Sequence, residues 1–314
     1  MIRSLILCVV LVYFLRPAGL YGQHAPTHQI AAQVDNDRFN FAATDKYYSN
    51  GIILKWNRTI HINNFFLIGL VEKAILVSSL QHKIYTPSEI IFYDKQRHDR
   101  PYASTLTLSG GVRLFIPKNQ FIQADITLGV SGPWAGGQNL QEWWHRQINV
   151  FKPRGWENQI VNSPVVNLHL QHARQWFETK IMNFISTSEL NLGTLSANVK
   201  QEGLVRVGKF LPLNLSTFSG GDLENGPFAK KSEIYLFAGA AIEYVYYNGL
   251  IEGNWIGNES PHTRQAVPWV YHGKYGVQWS TWKVSAAISY HLLSREVRGG
   301  TDHQYVRLNL GFRF

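Results

Sequence analysis

The sequence predicts an all-β protein: an antiparallel transmembrane β-barrel of about twelve strands with a short helix in an extracellular loop. Segments of about ten residues alternate apolar and polar side chains with period two, the length and rhythm of a tilted strand crossing a bilayer. Charged residues are 16% and aromatic residues 13% of the 314-residue chain, against about 25% charged in a typical soluble domain. Beyond the N-terminus no apolar run approaches the ~20 residues of a spanning helix, and a chain that is 45% hydrophobic is not disordered.

Residues 1–22 read as a signal peptide. Arg3 gives a positive start, Leu5 to Leu15 is apolar, and Ala18, Gly19 and Gly22 are small enough for cleavage before Gln23. The apolar stretch is too short for an anchor and is followed by Arg16 and Pro17. Residues 23–314 then form the barrel domain. Cys8, the one cysteine, lies in the leader, so the mature chain has no disulfide, no Cys-based zinc site and no Cys nucleophile. The formal charge is +9, and loss of Arg3 and Arg16 leaves +7. With no basic helix or aromatic RNA-binding signature, that charge suits anionic lipid rather than nucleic acid.

Near the mature N-terminus Ile30, Ala32 and Val34 share one face and Gln33, Asp35 and Asp37 the other, which points Asp37 into the lumen. Asn36 then belongs at a strand end or bulge. Ser49 shares its parity with Lys55 and Asn57, opposite Ile52, Leu54 and Trp56. If these are the first two strands joined by a loop, Asp37 and Ser49 sit at one rim. Alternation is clear over 104–114, 121–131, 166–171, 282–291 and 305–314, and weaker over 52–56, 177–184, 204–209, 234–246 and 269–279. Ten to twelve strands result. The last strand, ending on Phe314 with Val306, Leu308, Leu310 and Phe312 on one face, is similar to the terminal strand of bacterial outer-membrane barrels.

One segment breaks the strand pattern. From Gly136 to Phe151, Leu140, Trp144 and Ile148 recur four apart, as do Gln141 and His145, which predicts an amphipathic helix between a glycine pair and Pro153. A Trp-rich helix in a barrel loop suits the membrane interface. Three aspartates near the N-terminus, Asp35, Asp37 and Asp45, offer hard oxygen ligands without the spacing of an EF-hand. His145, between paired tryptophans and Arg146, has the chemistry of a general base near neutral pH. No G-x-S-x-G elbow occurs, which excludes an α/β-hydrolase.

Several blocks carry a family resemblance: Asn36-Asp37, Tyr48-Ser49-Asn50-Gly51, Asp99-Arg100-Pro101-Tyr102-Ala103, Leu128-Gly129-Val130-Ser131-Gly132-Pro133, Ala135-Gly136-Gly137-Gln138, Gln141, His145-Arg146, Gly155-Trp156 and Asn158-Gln159. In this order and spacing they resemble the LpxR-like lipid A deacylases of Gram-negative outer membranes, over nearly the whole mature chain. The resemblance implies a twelve-stranded barrel that hydrolyses the ester of the 3′-acyloxyacyl chain of lipid A. It also implies dependence on Ca2+ and a site between the barrel wall and an outward-loop helix. Carried over by position, the catalytic residues are His145, Asn36, Asp37 and Ser49, where relatives often have Thr. In the implied mechanism His145 deprotonates a water, Ca2+ near Asp37 polarises the ester carbonyl, and Asn36 and Ser49 position metal, water or oxyanion. Ser49 as a covalent nucleophile is the competing version.

Two departures from the family pattern stand out. No acidic residue follows the His-Arg pair, where Asn149-Val150-Phe151-Lys152 stands, so the role of orienting the imidazole falls to Gln141 or Glu142 or is vacant. A lysine associated with the site has no secure place around Lys83 to Lys95. The expected partners are lipopolysaccharide, through its lipid A, and outer-membrane lipids; the expected state is a monomer. The rival readings are an outer-membrane phospholipase on the same site and a non-enzymatic barrel or porin.

Overall fold

A strand in lipid must satisfy every backbone N–H and C=O sideways, which forbids a free edge. The chain meets that demand by closing on itself. The computed structural model describes residues 25–40, 46–61, 69–224, 231–256 and 258–314; the leader and Asp45 lie outside the described residues. Twelve strands follow in order: β1 (His28–Asn36), β2 (Tyr47–Ile60), β3 (Lys73–Thr86), β4 (Ala103–Ile116), β5 (Gln120–Ser131), β6 (Ser163–Glu178), β7 (Met182–Gly193), β8 (Ser196–Lys209), β9 (Glu233–Asn248), β10 (Trp269–Ser280), β11 (Val284–Leu293) and β12 (His303–Arg313). Each pairs antiparallel with its sequence neighbours in a closed barrel. The seam joins β1 to β12, from Gln29 opposite Arg313 to Asn36 opposite Val306.

Alternation sets the two faces of this wall. Leu108, Ile126, Leu128, Val166, Leu236 and Ile288 are exposed on the outside, as a lipid-facing band requires. Ser109, Gln123, Asp125, Ser285, Ser289 and His291 are buried inside. Trp56, Trp176, Trp279 and Phe314 lie exposed towards one end of the strands, and Tyr244, Tyr246, Trp269 and Tyr271 towards the other. These are the two aromatic girdles of an outer-membrane barrel. Short turns at 117–119, 179–181 and 281–283 join strands at the first end, the periplasmic one by the general rule, and the long connections 87–102, 132–162 and 249–268 mark the outer end.

Two sequence expectations shift, and one strand went unread. Residues 177–184 are not a strand but the end of β6, a turn and the start of β7. Trp282 lies in the turn before β11. Strand β3 had no legible alternation because its inner residues Ile75 and Val77 are as apolar as Ala74 and Leu76 on the outer face. The reason is local: Ile75 and Val77 pack against an apolar cluster inside the barrel.

That cluster is a plug. The β8–β9 connection folds back into the periplasmic mouth through short 3-10 turns at Leu213–Leu215 and Thr217–Ser219. Leu213 and Leu223 join Phe115, Phe121, Ala173, Ile185 and Leu204 in a buried core within the lumen. Arg206, fully buried, bonds Asn183 Oδ1 at 3.1 Å, Ser216 Oγ at 2.7 Å and the Leu211 carbonyl at 3.0 Å. Glu233 accepts from Leu211 N at 2.9 Å, Thr217 N at 2.8 Å and Ser216 Oγ at 2.8 Å. Above the plug remains a polar chamber of about 470 Å³, lined by Gln33, Lys55, Asp125, His169, Lys274 and Arg307 among others.

In planar bilayers the protein is therefore expected to carry no steady current, and replacement of residues 211–224 by a Gly-Ser linker to open one; steady current through the unaltered barrel would show that the plug does not seal. Glu233→Ala leaves the Arg206 guanidinium buried without its carboxylate and is expected to cost about 3–5 kcal/mol, read from urea unfolding of the barrel in micelles.

Candidate active site

The three N-terminal candidates come together at the outer rim. Asn36 is the last residue of β1, and Asp37 opens a 3-10 turn, Asp37–Asn40. Asp37 therefore takes its direction from that turn and not from strand alternation, and it does not line the chamber. The turn packs against β12 and β2, and Asp37 is 1% exposed. Asn36 sits at a strand end as expected, opposite Asn50 of β2. Its Nδ2 donates to the Ser49 carbonyl at 3.2 Å, and its Oδ1 accepts from Arg38 N at 2.9 Å.

Ser49 departs from simple parity for a definite reason. The β2–β3 ladder slips between Tyr48 and Asn50, so Ser49 is the extra residue of a β-bulge. From Gly51 onward the expected alternation holds, but Tyr48 is turned inward, where its hydroxyl donates to Asp35 Oδ2 at 2.9 Å. Asp35 also takes both arms of the Arg307 guanidinium, at 2.9 and 2.8 Å. Asp35 is committed to this ion pair and is not a metal ligand.

The predicted helix is present as α1 (Gly137–Gln147), set across the outer ends of β3 and β4. Gly136 adopts a left-handed conformation with φ 73° where the chain turns into the helix. Gly137 permits contact with the wall, since a Cβ there would overlap Ser104 of β4. The face turned to the barrel is Gln141 and His145, with Leu140 packed beside Ile84, Ile90, Tyr102 and Trp156. Trp156, 1% exposed, fixes the helix by donating Nε1–H to Gln141 Oε1 at 2.8 Å, and its ring lies 4.6 Å from that of Tyr102. Tyr102 and Trp156, one from each of two sequence blocks, are thus scaffolding for α1.

His145 is 3% exposed, and its Nδ1 lies 2.8 Å from the Phe151 carbonyl oxygen. A carbonyl only accepts, so Nδ1 carries the hydrogen and neutral His145 keeps its lone pair on Nε2. The Phe151 carbonyl, after the helix, orients the imidazole, while Gln141 Oε1 is taken by Trp156. Glu142 instead accepts from Gln138 at 2.8 Å and pairs with Lys152 at 3.1 Å. Partial burial alone would raise its carboxyl, but these two partners hold it below the usual range. The Phe151 carbonyl escaped sequence reasoning because any residue supplies one.

His145 on α1 and the Asn36–Ser49 pair thus occupy one end of the barrel, with β2 next to the β3–β4 pair that carries the helix. Lys83 of β3 lies opposite Gly51, one step below the bulge. Among the described residues no group of three or more His, Cys, Asp or Glu forms a metal cluster. A hard cation at the rim would find one carboxylate, Asp37, with the Ser49 hydroxyl and strand-end carbonyls as neutral donors. All are oxygens, as Ca2+ prefers, and the set fits an ion that completes its shell with water and substrate oxygens.

Comparison with known proteins follows the same lines. The model of the family described as "Outer membrane protein LpxR" matches residues 5–314. A search of curated proteins found no match. Among solved structures, LpxR from Salmonella typhimurium superposes with a TM-score of 0.74 at 19% identity, covering 91% of this chain and 100% of that one; this is likeness of fold. An outer membrane channel from Pseudomonas putida F1 aligns with a TM-score of 0.47 at 10% identity, over 96% of this chain and 100% of that one. The β domain of the Bordetella autotransporter BrkA aligns with a TM-score of 0.43 at 9% identity, over 93% and 99%. Those two likenesses are too distant to bear on the site. On a match that runs almost from end to end, the chain belongs to the LpxR family of outer membrane proteins.

Proposed function

We propose that this protein is a lipid A 3′-O-deacylase of the outer leaflet, a carboxylic ester hydrolase that removes the ester-linked 3′-acyloxyacyl chain. The observation that carries the reading is His145: a buried imidazole on a loop helix against the outer barrel wall, anchored through Nδ1 so that Nε2 is basic. Family membership supports it, as does the placement of Asn36, Asp37 and Ser49 at the same outer end. The plugged lumen argues against a porin.

His145 Nε2 takes a proton from a water whose oxygen attacks the ester carbonyl carbon. The tetrahedral intermediate then breaks its bond to the 3′ oxygen, and the proton on Nε2 passes to that leaving oxygen. The products are the free acyloxyacyl acid and a 3′-hydroxyl. The Phe151 carbonyl steadies the imidazolium through Nδ1–H while the charge persists. The Asn36 amide is a donor for the oxyanion, and the Ser49 hydroxyl orients the water. Asp37 would hold Ca2+, which when bound supplies Lewis-acid polarisation of the carbonyl. With one carboxylate in the set, Ca2+ affinity belongs to the weak end of the range, about 10⁻⁴ M or above.

Mass spectrometry of lipid A after incubation with purified protein tests the reading. The expected result is loss of the 3′-acyloxyacyl mass, abolished by a chelator and reduced at least about 10²-fold in His145→Ala, with a comparable loss in Asp37→Ala. Unchanged lipid A with cleaved glycerophospholipid would favour a phospholipase. Ser49 is separable: Ser49→Thr is expected to keep activity and Ser49→Ala to lower it without abolishing it, whereas an acyl-enzyme trapped on Ser49 would replace water attack by covalent catalysis.

A further inference from the structure

Directly below the rim lies a group of side chains that the reaction itself does not use. Asp35, 0% exposed, accepts from Arg307 at 2.9 and 2.8 Å, from the Tyr48 hydroxyl at 2.9 Å and from Gln33 Nε2 at 3.1 Å. These bonds join three strands: β1 through Asp35, β2 through Tyr48 and β12 through Arg307. Asp35 adjoins Asn36 and Asp37, and Tyr48 adjoins Ser49. The Tyr48 ring is held in turn by stacking on Tyr85, with centroids 5.2 Å apart, and by an edge contact with Tyr305 at 5.0 Å.

Barrel closure does not need this group. Asp35 is already in register with Gly51 on one side and Arg307 on the other through the backbone ladders. The β2–β3 ladder, however, is interrupted at Ser49, so strand pairing on that side does not fix its position. The Tyr48 hydroxyl reaches Asp35 because the bulge turns it inward and because residue 51 is glycine: a Cβ there would overlap that hydroxyl. A bulge that frees Ser49 and a tie that fastens its neighbour to Asp35 make sense together.

We propose that Tyr48 and Arg307, acting through Asp35, are positioning residues that set the spacing between Asn36–Asp37 and Ser49. The proposal rests on the hydrolytic reading of those three residues. A hydroxyl removed from Tyr48 leaves the ring packed, the barrel closed and the Asn36 Nδ2 bond to the Ser49 carbonyl in place, but takes away the side-chain tie that holds the bulge against Asp35. Displacement of a reacting group by about 1 Å is enough to cost roughly 10²-fold in rate.

The test is Tyr48→Phe, with Arg307→Lys as a second variant that keeps the charge but loses the two-armed bond. Each is checked for folding by its gel mobility before and after heating, so that either variant alone carries the test if the other fails to fold. Lipid A turnover is measured beside amide hydrogen exchange of peptides covering 34–38 and 47–51. The expected outcome is a kcat about 10- to 100-fold lower with KM changed less than about threefold. Exchange should be faster in those two peptides and unchanged in the plug and in β5 to β8. Wild-type kcat and exchange in a folded variant would overturn the proposal, and so would a uniform rise in exchange with kcat per folded molecule intact, the mark of a merely structural role. If the unaltered protein leaves lipid A intact, the deacylase reading fails by itself; the tie then stands on locally faster exchange in the variant and falls without it.

Discussion

The seam between β1 and β12 is the contact on which the rest of this molecule depends. In hydrocarbon an unpaired strand edge has no water to turn to, and the first and last strands must therefore find each other across nearly the whole sequence. Once they do, Asp35 of β1 and Arg307 of β12 face one another inside the wall and form a two-armed ion pair. A lone carboxylate in that place would be costly to bury, and so would a lone guanidinium. Together they are satisfied, at the outer end of the seam, where the candidate site lies.

From that seam the two ends of the barrel serve different purposes. The periplasmic end is filled by a small hydrophobic core of its own, built from Leu213, Leu223 and the inward residues of β3 to β8, and held by the Arg206 and Glu233 networks. This fills the periplasmic end of the lumen and leaves above it a polar chamber that touches none of the four candidate residues. The outer end carries α1 against the wall, with Trp156 and Gln141 locking the helix so that His145 is presented at the side of the barrel. An enzyme whose substrate is a lipid of the outer leaflet needs its reactive groups at that level and not in a central pore, and the placement is consistent with such a substrate.

Much of this was legible in the chain. Period-two alternation with apolar residues outward identified most strands, because lipid and lumen impose opposite polarity on successive side chains. The loop helix was legible from its four-residue spacing and flanking glycines. Strand β3 was not, because the plug makes part of its inner face apolar and erases the contrast that alternation depends on. The turn at 179–181 was hidden for a similar reason: Trp176, Phe177 and Phe184 beside it and Ile181 within it are all apolar.

Sequence by itself determined the class of the fold, the outward polarity of the wall and the identity of the candidate residues, since these follow from local chemistry and from motifs carried in order along the chain. Tertiary structure decided what those residues do to one another. That Asp35 is an ion-pair partner and not a metal ligand depends on Arg307, 272 positions away. That His145 is oriented by a backbone carbonyl depends on how the chain turns after α1. That Tyr48 faces inward depends on a one-residue slip of the ladder, which alternation, blind to bulges, places on the opposite face.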